Sequence, residues 1–161
     1  MGWRVIYVRP RCEKKIAEYF TLHNVHHYLP LREETKVYQR RKVKVHKPVF
    51  PGYIFSDYAA DDRVLVLNSH MIVRILEVDN QTAFLAALDQ IRLALGVDPT
   101  LGACAAFTAG RAVRIVGGPF RGIEGVVKVL RGGGTRVVLN VEMIGQAVAV
   151  EVERDYLEVV E

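Results

Sequence analysis

Six cations, Lys36, Arg40, Arg41, Lys42, Lys44 and Lys47, fall within residues 35–47 with no acid among them. Such a run attracts phosphates or a carboxylate-rich protein surface. Tyr38 is the only aromatic in the run, so stacking on successive bases is not expected there. A second set, Arg9, Arg11, Lys14 and Lys15, surrounds a predicted helix start, and Arg74 is a further candidate for that patch. The plainer reading of each patch is a solvated charged face. Contact through apolar surface would fall instead to Trp3, Tyr7, Phe50, Tyr53 and Phe55. These aromatics lie in segments of strand composition and serve either as core or as interface anchors.

Catalytic chemistry has little support. The histidines, His23, His26, His27, His46 and His70, lack a nearby cluster of carboxylates or thiolates that would complete a zinc shell. Cys12 and Cys104 form no C-x-x-C pair. Gly132-Gly133-Gly134 lacks the Lys-Ser/Thr of a phosphate-binding loop and opens no helix, so it reads as a hairpin turn. The expectation is a binding protein with no catalytic residue, metal or cofactor.

The elements that must position these residues follow from the pattern. Trp3–Val8 reads as a strand that stops at Pro10. Ile16, Ala17 and Phe20 set one face of a helix from Glu13 to His23, with Asn24 as its cap. An extended stretch begins near His27. Val37, Val43 and Val45 alternate with polar residues, which makes the basic run a β-ribbon. Pro51-Gly52 bends the chain before the strand Tyr53-Ile54-Phe55. A short helix follows Asp61-Asp62, a strand covers Val73–Val78, and a long amphipathic helix carries Phe84, Leu85, Leu88, Ile91 and Leu95 and ends at Gly96.

Residues 97–109, with Pro99, Gly102 and a run of small side chains, read as a linker. Beyond it lie short strands divided by glycine turns, the pattern of a small barrel. The predicted organisation is an α+β domain at 1–96, an antiparallel sheet flanked by helices, then the linker 97–109, then a small all-β barrel at 110–161.

The chain has 161 residues, enough for one ordinary domain or two small ones. No apolar run approaches the ~18 residues of a membrane span, and the start has no signal-peptide core. A cytoplasmic monomer with no membrane partner is expected. Residues 1–95 hold 15 Lys+Arg against 10 Asp+Glu, giving +5, and residues 96–161 hold 7 against 8, giving −1. The polyanion-seeking charge therefore belongs to the first part.

Two stretches resemble a known family. Lys47-Pro48-Val49-Phe50-Pro51-Gly52-Tyr53-Ile54-Phe55 resembles the F-P-G-Y signature of the NusG N-terminal domain. Trp3-Arg4-Val5-Ile6-Tyr7 resembles its W-Y-x-x-Y opening strand, with Arg4 where the family usually has Tyr. Gly110–Ile115 together with Gly117-Gly118-Pro119-Phe120-Arg121-Gly122-Ile123-Glu124-Gly125-Val126-Val127 resembles a KOW motif. The resemblance covers nearly the whole chain, and the motifs stand in the family's order.

The resemblance implies a non-enzymatic factor of transcription elongation or antitermination. Its N-terminal domain would dock on the clamp helices of the RNA polymerase largest subunit, with Tyr7, Phe50, Tyr53, Phe55 and Trp3 at that surface. In RfaH-like relatives, the region of Arg9, Arg11, Lys14 and Lys15 contacts non-template DNA in the transcription bubble, and Arg74 would join it. Ribbon residues Arg40, Arg41 and Lys42 would meet upstream DNA or an acidic polymerase surface. The KOW domain, a five-stranded barrel in the family, would recruit a small-subunit ribosomal protein or Rho through Phe120, Arg121 and Ile144. Both a general NusG that assists Rho and a specialised, operon-specific paralogue fit, and the short ribbon and basic first helix lean toward the specialised one. A ribosome-associated KOW protein is a third reading, opposed by the near-neutral second part. Gly117-Gly118, Gly132-Gly133-Gly134 and Gly145 would each interrupt a helix at about 1 kcal/mol per glycine, so a constitutive barrel rather than a refolded helical hairpin is expected.

Overall fold

The computed structural model describes residues 2–160; the outer ends of the predicted domains, at positions 1 and 161, lie outside it. In chain order the elements are β1 (Gly2–Val8), α1 (Glu13–Leu22), β2 (His26–Tyr28), β3 (Leu31–Tyr38), β4 (Arg41–Pro48), β5 (Tyr53–Tyr58), α2 (Arg63–Leu67), β6 (Ile72–Glu77), α3 (Gln81–Val97), β7 (Ala103–Ala105), β8 (Ala112–Ile115), β9 (Glu124–Val129), β10 (Thr135–Val141), β11 (Gln146–Glu151) and β12 (Leu157–Val159). Two compact units result. One holds residues up to Leu31 with Pro48–Leu85, the other Arg32–Lys47 with residues from Ala86 onward.

The first unit is an antiparallel sheet of order β2-β5-β1-β6. Period two sends Ile6 and Val8 to one face, where they meet Ile54 and Tyr58 of β5, Ile16 and Phe20 of α1, and Val66 of α2. Ile16 and Phe20 are four apart, so both point at the sheet. Each such side chain contributes about 1.5–3 kcal/mol by leaving water. The helix stops as the sequence suggests. Asn24 takes the left-handed conformation at φ 56, and the Val25 N–H donates to the Phe20 carbonyl at 2.8 Å. Trp3, Val5 and Tyr7 point to the opposite face. Its Trp3 end is covered by Phe84 from the first turns of α3, 6.5 Å from the Trp3 ring and 5.6 Å from the Phe55 ring.

Arg4, the departure from the family's opening strand, is well accommodated. Its guanidinium lies 4.1 Å from the Tyr58 ring centroid, 3.0 Å from a Glu77 carboxylate oxygen, and donates to the Tyr58 carbonyl at 2.7 Å. An arginine stacked and paired in this way supplies the packing that an aromatic residue would otherwise give.

The second unit contains the two-stranded ribbon β3-β4, the later turns of α3, and a six-stranded antiparallel sheet of order β12-β8-β9-β10-β11-β7. Val113, Ile115, Ile123, Val137, Leu139, Val141, Val148 and Val150 are buried in it. Residues 110–161 supply five strands, β8–β12, as expected, to a sheet of six in which no ladder joins β12 to β7 among the described residues. The sixth, β7, comes from the stretch read as linker. Its small side chains fit beside β11, and Asn140 holds the following Phe107 backbone through two hydrogen bonds of 2.8 Å. Gly96 does not end α3. The helix runs on to Val97, the Asp98 N–H still donates to the Ala94 carbonyl at 2.9 Å, and Pro99 then cannot continue it.

Candidate functional site

Phe50-Pro51-Gly52-Tyr53 is a type II turn. The Tyr53 N–H donates to the Phe50 carbonyl at 3.1 Å, Pro51 presets the second position, and Gly52 takes φ 91 at the third, where side chains are strained. The turn is anchored at both ends of Gly52. Its carbonyl accepts from the Val8 N–H at 2.8 Å, and its N–H donates to the Glu13 carboxylate at 2.9 Å. A second constraint is steric: a Cβ at Gly52 would lie 3.1 Å from Cε2 of Tyr7, so the ring would have to give by a few tenths of an ångström. The Tyr7 ring rests on the turn.

The turn leads straight into the pairing of β5 with β1, in which Tyr7 faces Tyr53. Their rings are 5.3 Å apart, and Tyr7 is 38% exposed. On the other side of β1, Tyr7 faces Arg74 of β6, which is exposed. Two aromatic rings and one cation therefore share one end of the sheet. Arg9 and Arg11 follow Tyr7 on the exposed connection to α1 at that same end, where the Arg9 N–H donates to the Met71 carbonyl at 2.9 Å.

The remaining aromatics behave differently. Phe50 is 1% exposed, Phe55 0% and Trp3 7%. Phe50 and Phe55 stack edge to face at 6.1 Å, and the Trp3 ring packs on His26 at 5.2 Å. These three are buried rather than exposed, and Phe84 packs against Trp3 and Phe55. Glu13 was missed in the sequence because a lone acid beside Lys14 and Lys15 looks like a solvated helix start; its burial appears only once Gly52 is brought to it.

The basic candidates do not form one patch. Lys14 borders a groove of about 670 Å³ along α1 and β2, with Ala17, Leu22 and Tyr28, and Lys15 is exposed on the same helix. Arg74 lies on β6, the opposite edge of the sheet. In the ribbon, Arg40, Arg41 and Lys42 are exposed around the tip. Lys36 lies deeper, and its close approach to the cationic Lys47 holds its pKa below the usual lysine value. The Glu34 carboxyl is held below its usual value by its hydrogen bond to Lys47.

In the second unit, Phe120 and the exposed Arg121 lie on the β8–β9 connection, tied back by Arg121 N–H to Gly118 carbonyl and Gly122 N–H to Ile115 carbonyl bonds of 3.2 and 2.8 Å. Gly117 and Gly118 lie against the Tyr156 ring; a Cβ on Gly117 would come 2.7 Å from it. Ile144, half-buried, ends a helical turn on the β10–β11 connection before Gly145 at φ 65. Among the described residues, no group of three His, Cys, Asp or Glu is placed to hold a metal ion, and no helix is long and apolar enough to cross a membrane.

Comparison with known proteins adds the family. The solved chain described as "Domain interaction in Thermotoga maritima NusG" is 19% identical, with 99% of this chain and 97% of that one covered, at a TM-score of 0.48. A chain of the MjSpt4:Spt5 complex, conformation B, is 16% identical with the same coverage of 99% and 97%, at a TM-score of 0.30. No curated protein matches. The family model described as transcription termination factor nusG matches residues 1–91, which contain β1, the turn, the Tyr7–Tyr53 pair and the ribbon. The chain belongs to the NusG family of transcription factors.

Proposed function

We propose that this chain binds RNA polymerase as an elongation and antitermination factor, docking on the clamp helices of the largest subunit through the surface around Tyr7 and Tyr53. The observation that carries this reading is the pairing of exposed Tyr7 with half-buried Tyr53 beside Arg74, at a turn held by two hydrogen bonds to Gly52. A helix laid in a shallow apolar groove gains most from a few rigid aromatic anchors, and Arg and Tyr are the residue types enriched at such hot spots. Phe50, Phe55 and Trp3 are buried in the same unit and serve its core. Arg9, Arg11 and Arg74 stand at the same end, suited to non-template DNA in the bubble. Lys14 and Lys15 extend that reach along α1.

Residues 1–96 act as the polymerase-binding domain and 110–161 as the partner-binding KOW barrel, joined through 97–109. Phe120, Arg121 and Ile144 on two connections of the second sheet offer apolar and cationic contacts to a protein partner, a small-subunit ribosomal protein or Rho. The factor works as a monomer in the cytoplasm and, as in its family, without catalysis. The operon-specific version is favoured by the basic ribbon; the general version, assisting Rho, is the alternative. Retention on immobilised core polymerase tests the main reading. Wild type should be retained and Tyr7→Ala/Tyr53→Ala should not, and failure of wild type to bind would sink it. Transcription of a long template with and without Rho separates the two versions: greater read-through in the presence of Rho favours the specialised one.

A further inference from the structure

The six-stranded sheet has a cavity of about 360 Å³ between the β9–β10 turn and the end of β11. Leu130, Gly134, Thr135, Glu151, Val152 and Glu153 line it. The antiparallel order puts this cavity at the end of the strands opposite Phe120 and Ile144. The Thr135 carbonyl accepts from the Val152 N–H at 3.2 Å, which holds the chain leaving β11 against the start of β10. Across the mouth runs Gly132-Gly133-Gly134, so no side chain of the turn closes it.

The floor and the rim carry different chemistry. Thr135 begins the inward row Thr135, Val137, Leu139 and Val141 of β10, all of them buried. It is 8% exposed, and its hydroxyl makes no hydrogen bond among the described residues. The rest of the row is aliphatic, and valine would fill the same space. A hydroxyl there exceeds what packing requires, and buried polar groups ordinarily find a partner. At the rim, Glu153 is exposed and makes no ion pair among the described residues. Arg154 next to it and Arg131 in the turn are both exposed, and neither pairs with it. Glu151 is already engaged by Arg136 at 3.3 Å.

We propose that this cavity takes an arginine side chain of a protein partner. A guanidinium presents five N–H donors in one plane. Two meet the Glu153 carboxylate side by side, and another donates to the Thr135 hydroxyl. The methylenes rest on Leu130 and Val152. A lysine ammonium is a compact point charge and lacks the fork that spans both acceptors. An anion would be repelled by the two glutamates, and a purely apolar group would leave the hydroxyl unanswered. The site lies at the other end of the strands from Phe120, Arg121 and Ile144, so both ends can be occupied at once.

The isotope-labelled full chain is titrated with the peptide acetyl-Gly-Arg-Gly-amide and followed by NMR. The same peptide with Lys, and with the uncharged isostere citrulline, is run in parallel. The Arg peptide should give saturable shifts at Leu130, Gly134, Thr135 and Val152. The Lys peptide should bind more weakly and the citrulline peptide should not bind. Thr135→Val keeps the shape and removes one hydrogen bond to a charged group, so affinity should fall about tenfold with the melting temperature retained. Glu153→Gln, at the exposed rim, should abolish binding, whereas Glu151→Gln should change it little. Equal binding of the Arg and Lys peptides, or wild-type affinity in Glu153→Gln, would overturn the proposal. Shifts centred on Phe120 and Ile144 would overturn it too, by assigning the peptide to the other end of the sheet.

Discussion

The Glu13 carboxylate, buried in the first turn of α1, accepts a hydrogen bond from the Gly52 N–H at 2.9 Å, across 39 positions of sequence. One acid thus satisfies a turn donor and sits at the positive end of a helix. Glu13→Ala leaves the Gly52 N–H without its partner and should destabilise the protein by about 1–3 kcal/mol. Glu13→Gln keeps an acceptor and should cost less. Urea unfolding measures both, and equal stability of Glu13→Ala and wild type would show that the bond does not hold the turn.

The buried and exposed aromatics should separate by assay. Tyr7→Ala and Tyr53→Ala should each weaken polymerase binding by about 2 kcal/mol, roughly 30-fold, with the fold intact. Phe50→Ala and Phe55→Ala, by contrast, should cost about 3–5 kcal/mol of folding stability. Titration of polymerase and thermal unfolding, run on the same four variants, would reveal either pair behaving like the other.

Gly52→Ala meets two obstacles, the positive φ of 91 and the 3.1 Å approach to Tyr7. It should destabilise by more than about 1 kcal/mol and shift the Tyr7 ring resonances in NMR spectra. A neutral substitution would mean that the turn relaxes freely.

Asn140→Ala removes both side-chain hydrogen bonds to the Phe107 backbone. Strand β7 lies just before that anchor at the edge of its sheet, so the amides of Ala103–Ala105 should exchange faster while those of β10 stay protected. Unaltered exchange in β7 would show that its pairing with β11 suffices.

Tyr58 titrates in the alkaline range. Burial raises its phenol pKa above the ordinary ~10, with Arg4 opposing, and its hydroxyl has no hydrogen-bond partner among the described residues. A folded pKa above the unfolded one means that Tyr58's contribution is complete below about pH 10 and is lost as pH rises past it. Tyr58→Phe should be near neutral at pH 7 and should flatten the alkaline loss seen in denaturant midpoints. A large loss at pH 7 would reveal a partner for the hydroxyl.

Much of this molecule could be read from local pattern. Pro51-Gly52 predicts the turn because Pro fixes one dihedral and only glycine takes the next without strain. Ile16 and Phe20 predict the buried face of α1, and Asn24 its end. The alternating valines predict the ribbon. Gly96 misled, and β7 was not foreseen, because local composition cannot report a neighbour. A glycine inside a helix is tolerated when nothing requires a stop, and a run of small residues becomes a strand when an edge is free to pair with it.

The sequence by itself determined the family motifs, the element types, and the division between a basic first part and a near-neutral second. Those depend on residue type and on spacings of a few residues, which steric limits and periodicity control. Only the tertiary structure decided which aromatics reach the surface. The β1–β5 register sets Tyr7 beside Tyr53, Phe84 closes over Trp3 and Phe55, and Glu13 meets a turn 39 positions away. Exposure depends on what covers a face, and the cover comes from residues that no local pattern connects to it.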